Sequence, residues 1–318
     1  MKTLVTGAAG FIGSALSVGL ANSGHDVIAV DSISEYYSTK LKMRRVDEIL
    51  IPNGIDFRIM QLADTNQSTN LFVHNNFDYV FHLAAQPGVR VPLEQSGSYV
   101  RDNLIGFSNV LINSISNNVK NFMYASSSSV YGDSTNYPFS EIETDLHPLS
   151  FYGATKLSNE ILTNSAVRNS STRARGLRFF SVYGPWGRPD MAYYKIGKAL
   201  QEDKEFCIFG NGDKERDFTY IGDVITMIIK LAEELNYRPP GSSDVVNVGG
   251  GVPSSLNNMI GVLEGISGKK LNKSYEINDV KDSNKTDADT SLQKELTGIF
   301  PETKLAVGLR EFWKWLQH

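Results

Sequence analysis

Two periodicities divide this chain. Short runs rich in apolar and β-branched residues occupy 3–6, 27–30, 55–60, 79–83, 122–125, 176–179 and 245–248. Between them, apolar residues recur every three or four positions at 11–21, 66–74, 95–117 and 150–169, and a charged stretch with helical spacing lies at 35–50. The first pattern predicts strands and the second predicts helices. Their alternation predicts a parallel sheet with helices on both faces, whose strands need not alternate apolar with polar. The character changes after residue 180. Gly184-Pro185-Trp186-Gly187-Arg188-Pro189-Asp190 is a turn-forming run, and helical spacing returns at 190–202 and 254–267. The expected architecture is α/β: a doubly wound parallel sheet with a second, smaller α/β lobe. Residues 1–179 plus 219–249 are expected in the first lobe, and 180–218 plus 250–318 in the second. No repeat, low-complexity tract or long linker interrupts the chain.

The first thirty-one residues carry the strongest local signal. The strand at 3–6 runs into Gly7-Ala8-Ala9-Gly10-Phe11-Ile12-Gly13, a helix follows, and the strand at 27–30 ends on Asp31. That arrangement holds a dinucleotide. Gly7 permits the tight turn. Gly10 lets a pyrophosphate approach the backbone at the helix end where Phe11 and Ile12 stand, and Gly13 lets the helix lie close to the sheet. Asp31 stands where a carboxylate accepts both adenosine ribose hydroxyls and repels a 2′-phosphate. No Arg follows it, so NAD is expected rather than NADP. Met1-Lys2 and the apolar run to Leu20 also outline a secretory signal. Three glycines interrupt that run, however, and the strand after it needs the helix as its partner.

Composition narrows the classes. The 318 residues are 41% hydrophobic and 21% charged, with a net charge of −4. Such a chain can bury a large core and offers no electrostatic footprint for nucleic acid or an anionic membrane. No apolar run is long enough to span a bilayer. A single cysteine, Cys207, excludes an internal disulfide and suits a reducing cytoplasm. Five histidines without ligand spacing predict no metal site.

In an open α/β sheet, ligands bind beyond the C-terminal ends of the strands. The strand at 122–125 runs into Ser126-Ser127-Ser128-Ser129-Val130-Tyr131-Gly132. Its four hydroxyls can donate to a polyol, although serine-rich turns are common for other reasons. Phe151-Tyr152-Gly153-Ala154-Thr155-Lys156 opens a helix for which Ser150 is the expected N-cap. Tyr152 and Lys156 share one helix face and can work as an acid–base pair, with the ammonium and a nicotinium charge both favouring phenolate. Tyr36/Lys40 and Tyr194/Lys198 repeat the spacing and are read as chance. His82 reads as a hydrogen-bonded structural residue and Trp186 as packing or a lid element.

Together these residues resemble the extended short-chain dehydrogenase/reductase family. The matching motifs are the turn from Thr6 to Gly13, Asp64 after the strand at 55–60, His82-Leu83-Ala84-Ala85, the serine run, Tyr152-x3-Lys156 and Arg216-Asp217-Phe218-Thr219-Tyr220-Ile221. They span essentially the whole chain. The resemblance implies a Rossmann sheet with tightly held NAD, contacted by Asp64, Leu83, Ala84 and Ala85 as well as the glycine turn, Asp31, Tyr152 and Lys156. It also implies a UDP-sugar gripped by the second lobe, and a homodimer built on the helices near 95–117 and 150–169. Finer features resemble the UDP-glucuronate 4-epimerases: Gln86-Pro87-Gly88-Val89-Arg90, the serine run, and the stretch from Gly176 to Ala192. Ser181 stands where neutral-hexose relatives carry Asn, and its hydroxyl can donate to a sugar carboxylate. Pro87, Val91-Pro92, Asp279 and Lys281-Asp282 depart from the family pattern, the last two near an expected contact to pyrophosphate.

By this resemblance, Tyr152 as phenolate takes the proton of the sugar 4-hydroxyl while the C4 hydride passes to nicotinamide. The 4-keto intermediate turns over, and the hydride returns to its other face. Ser127 aligns the reacting oxygen, and Lys156 holds the nicotinamide ribose and tunes Tyr152. Arg90, Ser128, Ser129 and Ser181 are expected at the sugar, with Arg188 and Arg216 on the phosphates, which suit guanidinium forks. Sister decarboxylases and 4,6-dehydratases carry a Glu at the position of Ser129, and the dehydratases an acid at Ser128. Two serines there argue for epimerisation without elimination. The alternatives are a UDP-glucose or UDP-N-acetylglucosamine 4-epimerase, and a catalytically inactive NAD-binding scaffold, which the presence of Tyr152 and Lys156 opposes.

Overall fold

The computed structural model describes every residue except 90, 93, 95 and 278–282. Its strands are β1 (Lys2–Thr6), β2 (Asp26–Asp31), β3 (Asp56–Ile59), β4 (Tyr79–His82), β5 (Asn121–Ser127), β6 (Arg173–Phe179), β7 (Ser181–Tyr183), β8 (Glu205–Phe209), β9 (Glu215–Tyr220), β10 (Ser243–Val248), β11 (Pro253–Ser255) and β12 (Asn272–Glu276). The helices begin with α1 (Phe11–Asn22), α2 (Thr39–Arg45) and α3 (Thr65–Val73). Next, α4 (Gly97–Tyr99) continues through π-helical turns at Val100–Gly106 into α5 (Phe107–Ser116). The remainder are α6 (Phe151–Val167), α7 (Ala192–Glu202), α8 (Ile221–Leu235), α9 (Leu256–Ser267), α10 (Ser291–Thr297) and α11 (Leu305–Leu316).

The seven expected strands form one sheet in the order β10-β6-β5-β4-β1-β2-β3, and every neighbouring pair is parallel. The pleat sorts successive side chains to opposite faces. Val5, Ala29, Phe81 and Met123 enter one core, with Leu16 and Leu20 of α1 and Val224, Ile228 and Leu231 of α8. Leu4, Ile28, Val80 and Phe122 enter the other, with Leu71 and Phe72 of α3 and Val110 and Leu111 of α5. Both faces are covered, which is why the strand sequences are continuous apolar runs. Strand order reverses between β1 and β4, and the crevice at such a reversal is where open α/β sheets bind ligands.

Smaller sheets, β11-β9-β7 and β12-β8, lie in the stretch beyond β6. With α7, α9 and α11 they surround a third core that includes Tyr193, Ile196, Leu263, Leu309 and Phe312. Asp217, fully buried on β9, accepts hydrogen bonds from the backbone N–H groups of Gly250 (2.8 Å), Gly251 (2.8 Å) and Ala288 (3.2 Å). That carboxylate ties the glycine run after β10 to β9. Three helices, α8, α10 and α11, lie outside the stretches expected to be helical. The buried positions of α8 (Ile221, Val224, Met227, Ile228, Leu231, Leu235) nevertheless recur every three or four residues. The α10 helix, late in the chain, packs on α8 and β10 of the main sheet. Among the described residues, no helix is long and apolar enough to cross a membrane.

A close backbone approach lies between the β1–α1 turn and α1 itself. A methyl group on Gly13 would meet the Gly7 carbonyl oxygen at 2.1 Å. Gly13→Ala is expected to destabilise the protein by about 1–3 kcal/mol, the usual cost of overpacking, measured by urea unfolding.

Candidate active site

A cavity of about 950 Å³ opens beyond the C-terminal ends of β1 and β4. Gly7 forms its floor with φ +69°, and a Cβ there would stand 2.7 Å from the Ala84 nitrogen. Gly10 is the extended N-cap of α1 and offers no side-chain cap, so the first N–H groups of that helix are left for an anion. Phe11, Ile12 and Gly13 line the same wall, as do Leu83, Ala84 and Ala85 opposite them. The Asp31 carboxylate accepts from Ala9 N (3.1 Å) through Oδ2 and from Ile33 N (2.8 Å) through Oδ1. Each oxygen keeps a second lone pair for a ribose hydroxyl. Burial pushes the pKa of Asp31 up, opposed by the Ile33 N–H, the Lys42 charge, the Ala9 N–H and the Arg45 charge. The glycine cradle, the uncapped helix end and the buried acid fit a dinucleotide.

Two features of this wall differ from expectation. Asp64 does not line the cavity. Its carboxylate is spent as the N-cap of α3, accepting from Asn66 N (2.9 Å), Gln67 N (3.1 Å) and Gln67 Nε2 (3.0 Å). Gln61 and Leu62, at the end of the same strand, line the cavity in its place. Lys42 is also in the wall, its Nζ donating to Ser34 O (2.6 Å) and Ser34 Oγ (2.8 Å).

At the other end, Ser150 caps α6 by accepting from Gly153 N at 3.0 Å, which fixes Tyr152 in the first turn. Tyr152, Lys156, Ser127, Ser128 and Ser129 all line the cavity. The Ser127 Oγ donates to Ser129 Oγ (3.1 Å) and accepts from Ser129 N (3.1 Å). Behind them Ser126 donates to Glu160 (2.5 Å), which holds Arg178 through two bonds of 3.0 and 2.8 Å. Those buried contacts lock α6 to β5 and β6 at the level of the reacting groups.

The electrostatics at Tyr152 add Arg188 to the charges expected to act on it. Burial pushes its pKa up; the Arg188 charge and a hydrogen bond with Ser127 pull it down. The charge that favours its phenolate is that of Arg188, and Lys156 stands near its ring. The Lys156 Nζ donates to Ala125 O (2.9 Å), stands 5.7 Å from the centre of the Tyr152 ring, and is drawn by burial to a pKa of about 8. Arg188, expected on phosphate, lines the cavity close enough to Tyr152 for its charge to act on the phenol. Its fork is taken by Asp190 at 3.0 and 2.5 Å, with the Tyr36 hydroxyl 3.5 Å from the same carboxylate. Tyr36 thus reaches the cavity, while Lys40, its supposed counterpart, is exposed. Ser181 and Arg216 line the cavity from the second lobe, and Arg216 Nη1 donates to Glu215 O at 2.7 Å. Arg90, Asp279, Lys281 and Asp282 lie outside the described residues.

A model of the NAD dependent epimerase/dehydratase family matches residues 3–249. The chain belongs to the NAD dependent epimerase/dehydratase family. It is 39% identical to Protein CapI of Staphylococcus aureus, over 99% of this chain and 98% of that one. It is 36% identical to UDP-glucuronate 4-epimerase 4 of Arabidopsis thaliana, over 99% of this chain and 75% of that protein. The crystal structure of UDP-glucuronic acid 4-epimerase from Bacillus cereus, in complex with UDP-glucuronic acid and NAD, superposes with a TM-score of 0.90. That similarity comes at 34% identity and covers 100% of this chain and 99% of the other.

In this epimerase-family cavity His82 is a structural neighbour of the site. It is buried, with Nδ1 2.9 Å from Thr6 Oγ1, and burial followed by the Lys156 charge pulls its pKa to about 3. Below about pH 6.5 the unfolded chain protonates this ring and the folded chain does not, so stability falls as pH falls toward 3. The contribution is at most about 1.4 kcal/mol per pH unit. Unfolding free energies between pH 6.5 and 4.5 should therefore fall less steeply in His82→Asn than in the wild type.

Proposed function

We propose that this chain interconverts UDP-glucuronate and UDP-galacturonate by inverting C4, with NAD as a retained cofactor. The observation that carries the reading is the setting of Tyr152: in the cavity wall with Ser127, and beside the Arg188 charge. Serines rather than carboxylates follow at 128 and 129. The names of the relatives support the same sugar.

NAD, when bound, supplies a reversible acceptor for the hydrogen on C4. The Gly7–Gly13 backbone and Asp31 would hold it, with Lys156 at the nicotinamide ribose. Tyr152 Oη takes the proton of the sugar 4-hydroxyl as general base and returns it as general acid. Ser127 aligns that oxygen. The Arg188 cation favours the phenolate that burial alone opposes. Ser181 donates to the sugar carboxylate, and Arg216 serves the diphosphate. Without a carboxylate at 128 or 129, no acid is placed to complete an elimination. Residues 1–179 plus 219–249 form the cofactor lobe, and 180–218 plus 250–318 the nucleotide-sugar lobe. A single cysteine suits a cytoplasmic enzyme.

A homodimer is part of the same reading. Ile105, Ile112, Ile161 and Leu162 expose large apolar side chains on the packed α5–α6 side, Ile112 at 59% and Ile161 at 63%. Light scattering should give twice the chain mass for the wild type and the chain mass for Ile112→Glu/Ile161→Glu.

Proton NMR of the anomeric region tests the chemistry. Incubation with UDP-glucuronate should produce a second, galacto signal, and UDP-glucose should not. Release of carbon dioxide, or turnover of UDP-glucose alone, would refute the assignment. Tyr152→Phe should lower turnover roughly 10²–10⁴-fold while the purified protein keeps its NAD.

A further inference from the structure

Arg45, the last residue of α2, is fully buried (0% exposed), and the chemistry above makes no use of it. Its Nη1 donates to Ala9 O (2.8 Å) and to the Tyr37 hydroxyl (2.8 Å). Its Nε and Nη2 donate to Trp186 O (3.1 and 2.7 Å), and Nη2 also to Gly187 O (3.0 Å). Ala9 belongs to the turn between β1 and α1. Trp186 and Gly187 open the loop that carries Arg188 and Asp190. One guanidinium therefore bridges the dinucleotide turn and that loop.

Two observations make this more than packing. Trp186 is held at φ +62°, in the left-handed region that a bulky residue rarely adopts. Its ring is fixed against Trp315 (5.3 Å between centres) and under Arg44 (5.0 Å). In addition, every hydrogen-bond partner of Arg45 is a neutral acceptor, and the charge of Asp31, which accepts from Ala9 N, acts on it only from beyond ion-pair distance. A buried cation is costly unless negative charge stands close by. A diphosphate seated on the Gly7–Gly13 turn would add negative charge on the side of that turn which Arg45 already holds through Ala9 O.

We infer that Arg45 is a positioning residue that couples dinucleotide binding to the order of the 186–190 loop. Cofactor charge stabilises the buried guanidinium, and the guanidinium fixes the two carbonyls that set the direction of the loop bearing Arg188. The inference rests on reading the cavity as a shared dinucleotide and nucleotide-sugar site. Coupling of this kind is reciprocal: the sugar ligand tightens NAD as much as NAD tightens the sugar ligand.

The first test adds no sugar. Hydrogen–deuterium exchange over residues 184–192 is compared in wild-type protein freed of nucleotide and reloaded with NAD. Loading should slow exchange roughly tenfold. Arg45→Lys keeps the charge but cannot reach the Ala9, Trp186 and Gly187 carbonyls together. At saturating NAD it should lose the slowing. Equal slowing in both proteins, or none in the wild type, overturns the inference. Should Arg45→Lys not fold, the wild-type result decides, slowing supporting and its absence overturning. The second test is calorimetry with UDP-glucuronate. The dissociation constant should be roughly tenfold lower in NAD-loaded than in stripped wild type, and equal in the two states of Arg45→Lys. A coupling ratio unchanged by Arg45→Lys overturns the inference. Failure of UDP-glucuronate to bind either wild-type state overturns the substrate reading instead, leaving the exchange result to judge the coupling.

Discussion

A phenol buried beside a guanidinium is the interaction on which the rest of this molecule depends. Burial alone drives Tyr152 toward its neutral form, in which it cannot take a proton from an alcohol. The Arg188 charge and the Ser127 hydrogen bond work against that tendency. Arg188 is in turn held by Asp190, so its position does not depend on a bound anion. The same pocket that opposes the phenolate therefore also carries the charge that favours it.

The fold's task is to bring these groups to one place from distant parts of the chain. Tyr152 comes from the first turn of α6, Ser127 from the end of β5, and Arg188 from the loop after β7. The Ser126–Glu160–Arg178 contacts hold α6 against β5 and β6, so the first two cannot drift apart. The third depends on how the second lobe sits. Asp217 fixes the return of the chain through Gly250 and Gly251, and Arg45 ties the Trp186 loop to the cofactor turn. Both are buried charged groups satisfied mainly by backbone. They set a direction for the main chain, where an apolar contact would only fill space.

The sheet was legible in the sequence because its strands are buried on two faces and so appear as unbroken apolar runs. The glycine turn was legible because backbone approach at Gly7 and Gly13 leaves no room for a side chain. The three-residue strands β7 and β11 carry too few positions for a period to show. Asp64 was misread because a carboxylate after a strand can serve a ligand or cap the next helix, and the spacing to Asn66 and Gln67 favours the cap. Lys42 and Arg45 lay in a charged helical run whose local pattern points to no site. Arg45 has partners at position 9 and at positions 186 and 187, and no local rule reaches across that separation. Arg188 was assigned to phosphate by residue type, whereas Asp190, two positions on, already occupies its fork.

The balance at Tyr152 can be read directly by labelling tyrosine with carbon-13 at Cζ and following the Tyr152 resonance with pH in NAD-loaded protein, wild type against Arg188→Gln. Loss of the cation should move the ionisation of Tyr152 to higher pH. An unchanged titration, or a move to lower pH, would contradict the role given to the guanidinium and with it the electrostatic basis of the site.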